Sequence, residues 1–242
     1  NKEDYKKIDV VDYGGADTYN IKNTKSIYIR DYQTTNGNYK NTFNIQNTEN
    51  FTIDVSGKNL SETTNYIATN DTYNVAASSG YIFDYSNSSN DTYNVSKLKD
   101  NNVLIFEAGG KGDVLNLKDS KAKDLVFMTD GGRTSSLYVY DKSTKGYVIL
   151  SEYYGNTKDG SLKYTVNNAE YDSMKYTDSD YKIETIKAGK TDVRSSMLTV
   201  SEMNELRSAV SSWLGNSSMI AVLNEAQEGT KDINQLIAYF TK

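Results

Sequence analysis

The sequence predicts a mainly β fold: a parallel β-solenoid of the β-roll or β-helix kind, wound from degenerate coils of ~20 residues and closed by a C-terminal helical cap. Three observations predict it. A five-residue phrase recurs, a second short strand follows each copy, and the apolar period changes near the C-terminus.

The phrase reads Asp17-Thr18-Tyr19-Asn20-Ile21, Asn41-Thr42-Phe43-Asn44-Ile45, Asp71-Thr72-Tyr73-Asn74-Val75, Asp91-Thr92-Tyr93-Asn94-Val95 and Asp113-Val114-Leu115-Asn116-Leu117, at steps of 24, 30, 20 and 22 residues. Alternate residues of a strand share a face, so Tyr19 and Ile21 point one way and Thr18 and Asn20 the other. A two-strand unit of this size cannot bury its apolar face alone. Stacked copies can, and they would line up Asn20, Asn44, Asn74, Asn94 and Asn116 as a hydrogen-bonded amide ladder. An antiparallel hairpin meander is the alternative, but it would not require the same phrase at one strand position.

The second strands are Ser26–Ile29, Phe51–Val55, Tyr81–Tyr85, Val103–Phe106 and Leu125–Met128, and Leu137–Tyr140 and Tyr147–Leu150 continue the series. After residue 188 the pattern becomes helical. Thr199 and Glu202 make a capping-box pair. Val200, Met203, Leu206, Val210, Trp213 and Leu214 then recur at steps of three and four, and Gly215 stops the run. Ile233, Leu236, Ile237 and Phe240 outline a last helix. The organisation expected is a repeat region over 1–150, a β-rich flank over 151–188 and a helical cap over 189–242.

Composition narrows the function. The chain has no Cys, no His and no Pro. It therefore has no disulfide, no thiolate or imidazole metal site and no Ser-His-Asp triad. Missing Pro suits a chain made of ladders. A net charge of -5 and a pI near 5.0 argue against nucleic acid and anionic lipid as partners and allow divalent cations. Mean hydropathy is only -0.68, yet 21 Tyr residues are present; a thin repetitive fold with a narrow core reconciles the two. No apolar run is long enough to span a membrane. The chain opens on Asn1 rather than Met, which reads as a piece of a longer protein.

The turns before the phrases carry Gly and Asp: Gly14-Gly15-Ala16-Asp17, Gly109-Gly110-Lys111-Gly112-Asp113 and, later, Asp130-Gly131-Gly132. With an apolar residue two places after each phrase Asp, they resemble the nonapeptide G-G-x-G-x-D-x-U-x of the repeats-in-toxin (RTX) family. In that family the turn Asp and backbone carbonyls bind calcium between coils. The resemblance implies calcium at Gly15, Asp17, Gly110, Gly112, Asp113 and Asp130. It is degenerate: Ala68–Asp71 and Ser88–Asp91 keep the Asp without Gly, and at Lys40-Asn41 the Asp is gone. The alternative is that these side chains cap their own turns. Tyr181–Ile186 resembles the strand that closes many such arrays. The amphipathic tail is similar to those of some RTX and bacterial surface-layer proteins, implying type I secretion; a plain cap on the open end of the repeat is the other reading.

No catalytic motif is present. Asp54, Asp84, Glu107, Asp124 and Asp130 are the candidate acids, with Asp54 and Asp84 close enough in an adjacent-coil arrangement to serve acid–base chemistry. An exposed acidic row is the simpler reading. Tyr153, Tyr154, Tyr171, Tyr176 and Tyr181 could form a binding surface, or point inward. The expectation is a non-catalytic structural module of a secreted bacterial cell-surface protein, with calcium, copies of itself or a surface polysaccharide, and the type I secretion machinery as partners. A glycan- or protein-binding adhesin and a polysaccharide-degrading β-helix enzyme are the alternatives.

Overall fold

The structure is a computed structural model that describes residues 7–32, 39–56, 70–85, 90–99, 101–107, 110–154, 157–166, 169–175 and 183–241. Gly109, Tyr176 and Tyr181, and the turn residues Ala68, Thr69, Ser88 and Ser89, lie outside these, and Tyr171 falls in a segment described by its backbone.

The fold is mainly β, with two parallel-rich sheets and three helices near the C-terminus. The chain alternates between the sheets. β1 (Ile8–Asp12), β3 (Ser26–Tyr32), β5 (Asn50–Ser56), β7 (Gly80–Asp84) and β9 (Asn102–Glu107) are neighbours in the first. β2 (Thr18–Lys22), β4 (Thr42–Gln46), β6 (Thr72–Ala76), β8 (Thr92–Ser96) and β10 (Val114–Leu117) are neighbours in the second, and these are the five phrases. All pairings among these ten strands are parallel. The phrases align residue for residue: Tyr19, Phe43, Tyr73, Tyr93 and Leu115 are register partners in turn. A meander would have paired antiparallel; this region does not.

The expected faces are found. Inner rings stack at 4.8 Å (Tyr19–Phe43), 5.1 Å (Phe43–Tyr73) and 4.8 Å (Tyr73–Tyr93), with nearly parallel planes in each pair. On the outer face Asn44, Asn74, Asn94 and Asn116 each donate an amide N–H to the Asn one strand earlier, at 2.8–2.9 Å. Ile27, Ile29, Ile53, Ile82, Val103 and Ile105 of the first sheet join Phe43, Tyr73, Tyr93 and Leu115 of the second in one core.

Parallel stacking ends sooner than the series of apolar runs suggests. β11 (Leu125–Met128), β12 (Leu137–Asp141) and β13 (Tyr147–Ser151) extend the first sheet, but β11–β12 and β12–β13 are antiparallel, and only β13 runs parallel to β9. β14 (Thr157–Val166) and β15 (Ala169–Lys175) form a separate two-stranded sheet. β16 (Thr185–Ala188) pairs parallel with β10, and the short β17 (Thr191–Asp192) turns back on it. β16 overlaps the expected Tyr181–Ile186 strand at Thr185 and Ile186, and Tyr181 and Lys182 lie outside the described residues.

Three helices follow: α1 (Val200–Leu214), α2 (Met219–Gln227) and α3 (Asn234–Phe240). The capping box forms as expected, with Glu202 N–H on Thr199 Oγ1 at 3.2 Å and Thr199 N–H on Glu202 Oε2 at 2.6 Å. Val210, Leu214, Val222, Leu223, Leu236 and Phe240 cover the outer side of β11–β13, burying Val126, Met128, Tyr138 and Ile149. Met203 reaches the other core, where the Tyr154 hydroxyl meets its sulfur. Tyr153 and Tyr154 are buried, so they offer no binding surface. No helix among the described residues is long and apolar enough to cross a membrane.

Candidate metal centre

Strand parity brings acids into the core. In β7, Ile82 faces inward, so Asp84 two residues on does too; in β9, Glu107 follows Val103 and Ile105 inward. Asp31 does the same in β3. Register makes Asp31 and Asp84 neighbours of Val55, and Glu107 a neighbour of Asp84. Asp31, Asp84 and Glu107 are at most 2% exposed. Of the acids expected on an exposed row, Asp84 and Glu107 therefore face inward.

A second buried column faces it across the corner. Asn41, Asp71, Asp91 and Asp113 open the phrases, and all four are fully buried. Each uses one carboxylate or amide oxygen to accept the backbone N–H of its counterpart one phrase earlier: Asp17 to Asn41 at 2.9 Å, Asn41 to Asp71 at 2.8 Å, Asp71 to Asp91 at 2.6 Å, Asp91 to Asp113 at 2.9 Å. The first phrase position is Asp or Asn in all five copies, and both carry an acceptor on a short stem.

The columns meet at Asp84, Asp91 and Glu107, where one oxygen from each carboxylate lies within 4.8 Å of the other two. Tyr hydroxyls of the core point there. Tyr73 donates to Asp84 Oδ2 at 2.8 Å; Tyr93 donates to Glu107 and also lies 3.4 Å from Asp84 Oδ2. Burial, reinforced by these acids, raises both phenols well above the ordinary range, so they stay protonated donors. Asp113 adds a further oxygen: its Oδ2 is buried and accepts no hydrogen bond from the described residues. Burial pushes the Asp113 carboxyl up to about 6; the Asp91 N–H opposes this and Asp84 adds to it.

Such a site has oxygen donors only, which suits a hard cation. Calcium bonds oxygen at roughly 2.3–2.6 Å, so an ion centred among the three carboxylates spans oxygens up to about 5 Å apart. The spacing here fits that limit.

The turns singled out by the RTX resemblance are not brought together. Asp17 and Asp113 stand in one column with Asn41, Asp71 and Asp91 between them, four strand spacings of ~4.8 Å apart. The Asp17 carboxylate folds back over Gly15, where a Cβ would lie 2.8 Å from it. Gly110 and Gly112 have positive φ, and the Gly112 N–H donates to Glu184 at 3.1 Å. Asp130 caps its own turn, accepting the backbone N–H groups of Arg133 and Thr134 and the Thr134 hydroxyl. The Asp54–Asp84 pair does not form either. Asp54 is the register partner of Phe83 and lies on the outer face, where Tyr28 donates to it at 3.1 Å.

Searches of family models, curated proteins and solved structures return no match to this chain.

Proposed function

We propose that this chain is a non-catalytic structural module, a parallel β-solenoid with a helical cap, from a secreted bacterial cell-surface protein. One observation carries the reading. The five phrases stack in register on one sheet, with their aromatic, Asn and Asp columns continuous from strand to strand. Such a device holds length and shape. The converging carboxylates support it too, since at most 2% of each is exposed and solvent-borne substrate does not reach them. In this reading the acidic corner holds calcium through Asp84, Asp91 and Glu107, with Asp113 beside them, in place of the turns that the RTX resemblance suggests. The amphipathic tail serves as the cap and as the type I secretion region.

Amide hydrogen exchange tests the architecture. Protection should run through β4, β6, β8 and β10 as one cooperative block. Independent opening of single strands would refute the stacked coil.

A second reading rests on the outer face of the first sheet. Tyr81, Phe83 and Tyr85 form a ring row with centroids 6.0 and 6.3 Å apart, and Tyr85 reaches Phe106 at 5.2 Å. Tyr81 is 50% exposed. Rings in a row stack on sugar faces, which favours a glycan-binding adhesin. Saturable binding to a bacterial surface polysaccharide, lost in Tyr81→Ala, would support it.

A further inference from the structure

The helical cap leaves a cleft where it meets β12. Alternation in β12 turns Leu137 and Val139 to the first core, and Tyr138 and Tyr140 to the helices. Lys142 lines the cleft just past the end of the strand, and Lys145 lines it from the turn into β13. The other wall comes from the cap. α2 ends at Gln227, Gly229 takes φ +75°, and the chain beyond it supplies Lys231, Ile233 and Ile237. The cleft encloses about 420 Å³. Both segments that line it fall within unbroken stretches of described residues.

Donors dominate the polar lining. Lys142 and Lys145 enter no ion pair among the described residues. Lys231 is partly offset by Glu225 at 3.4 Å, and its ammonium lies 5.3 Å from the Trp213 ring centroid. Tyr140 is only 4% exposed, yet its hydroxyl has no hydrogen-bond partner among the described residues. Burial, then the neighbouring Asp141, raises this phenol above its ordinary range, so it stays a donor. Asp232 is the one acid in the lining, and its Oδ1 already accepts the Asn234 N–H at 2.8 Å. Three ammoniums so gathered stand out in a chain of net charge -5. The volume falls in the range of small-molecule sites, roughly 300–1,000 Å³, and exceeds what one inorganic anion fills. Ile233 and Ile237 offer an apolar wall to whatever carries the charge.

We infer that this cleft binds a compact organic anion, a carboxylate or phosphate group on a body the size of a sugar ring. Lys142, Lys145 and Lys231 face the charge, Tyr140 donates to it, and the isoleucines pack the body. The site shares no residue with the acidic corner or with the Tyr81 ring row, and it is independent of both.

Calorimetric titration of the full chain with glucuronate and with glucose 6-phosphate tests it. Glucose supplies the body without the charge, and inorganic phosphate the charge without the body. At least one of the two sugar acids should bind saturably, at least ~10-fold more tightly than either control, and added salt should weaken it. The tighter of the two identifies the anionic group. Lys142→Gln with Lys145→Gln should weaken binding at least ~10-fold. Both side chains are exposed, so circular dichroism should not change. Tyr140→Phe should weaken it about 2–10-fold. Lys99→Gln with Lys190→Gln makes the same change in net charge at exposed positions outside the cleft and should leave binding intact. Four outcomes overturn the proposal: no saturable binding of either sugar acid, inorganic phosphate binding as tightly (an adventitious ion only), equal loss in the Lys99 and Lys190 variant, or loss in Tyr81→Ala, which would move the site to the ring row.

Discussion

Residues at corresponding corners carry the repeat as clearly as the strands do. Asn23, Asn47, Ala77 and Lys97 each follow a strand of the second sheet, and each has φ near +50°. Asn tolerates this left-handed region; Ala and Lys do so at a cost of about 1 kcal/mol. Ala77→Gly and Lys97→Gly should therefore each raise stability by up to ~1 kcal/mol in urea titrations. A loss at either site would show that the corner side chain contributes packing instead. The ladder gives the opposite sign. Asn74 donates to Asn44 and accepts from Asn94, so Asn74→Ala removes two bonds and should cost about 1–2 kcal/mol. Alternation alone made the amide row legible in the sequence. The same alternation places Asp84 and Glu107 inside, two residues after Ile82 and Ile105. A reading that assigns charged residues to the surface by habit misses them, because carboxylates rarely lie inside without partners. Asp91 was hidden differently. Its position before a strand fits a turn cap equally well, and only its alignment with Asp71 shows its oxygen accepting the backbone N–H of the preceding phrase.

At the scale of elements, local signals and long-range pairing part company. The capping box at Thr199 is a four-residue code and appears as read; Thr199→Ala should cost about 1 kcal/mol and fray α1. The β11–β13 segments are equally apolar runs, yet strand direction is not written in any of them. It is set by connections and by the helices that cover their outer side. The Asp130-Gly131-Gly132 turn shows how a short motif can mislead. Its glycine meets a helix: a Cβ on Gly131 would lie 2.8 Å from Ser211 N and 2.9 Å from Arg207 O, at φ +75°. α1 thus sits directly on this turn. Arg133 then clasps the far end of the helix, donating to the carbonyls of Ser217 at 2.7 Å and Gly215 at 2.5 Å, where a cation suits the helix dipole. Gly131→Ala must push α1 away and should cost about 2–3 kcal/mol in thermal or urea unfolding. If the turn instead bound calcium, Gly131→Ala would lower calcium affinity and leave the metal-free stability nearly unchanged.

The whole molecule responds to pH through its buried acids. In the folded chain Asp113 titrates near 6, above its ordinary 3.8, and burial also raises Asp54 and Asp130. Between the two Asp113 values the folded state holds more protons than the unfolded chain, so this contribution to stability falls as pH rises through that window. Above the window the full cost of a buried charge is present; below it there is none. In chelator, the melting temperature should therefore be higher at pH 5 than at pH 7. A cation at Asp84, Asp91 and Glu107 reverses the balance, because it requires the charged carboxylates and stabilises only the folded chain. Calcium should thus raise the melting temperature more at pH 7 than at pH 5. Asp84→Asn combined with Glu107→Gln should abolish that calcium response and, by removing the Asp84 charge that helps to raise the Asp113 carboxyl, make the metal-free protein less sensitive to pH. Melting curves that coincide with and without calcium at both pH values would sink the cation site while leaving the proton-linked slope to stand alone. Melting that is also flat with pH would mean that the acidic corner holds neither proton nor metal as a condition of folding. The Asp and Asn columns would then act through their backbone hydrogen bonds alone.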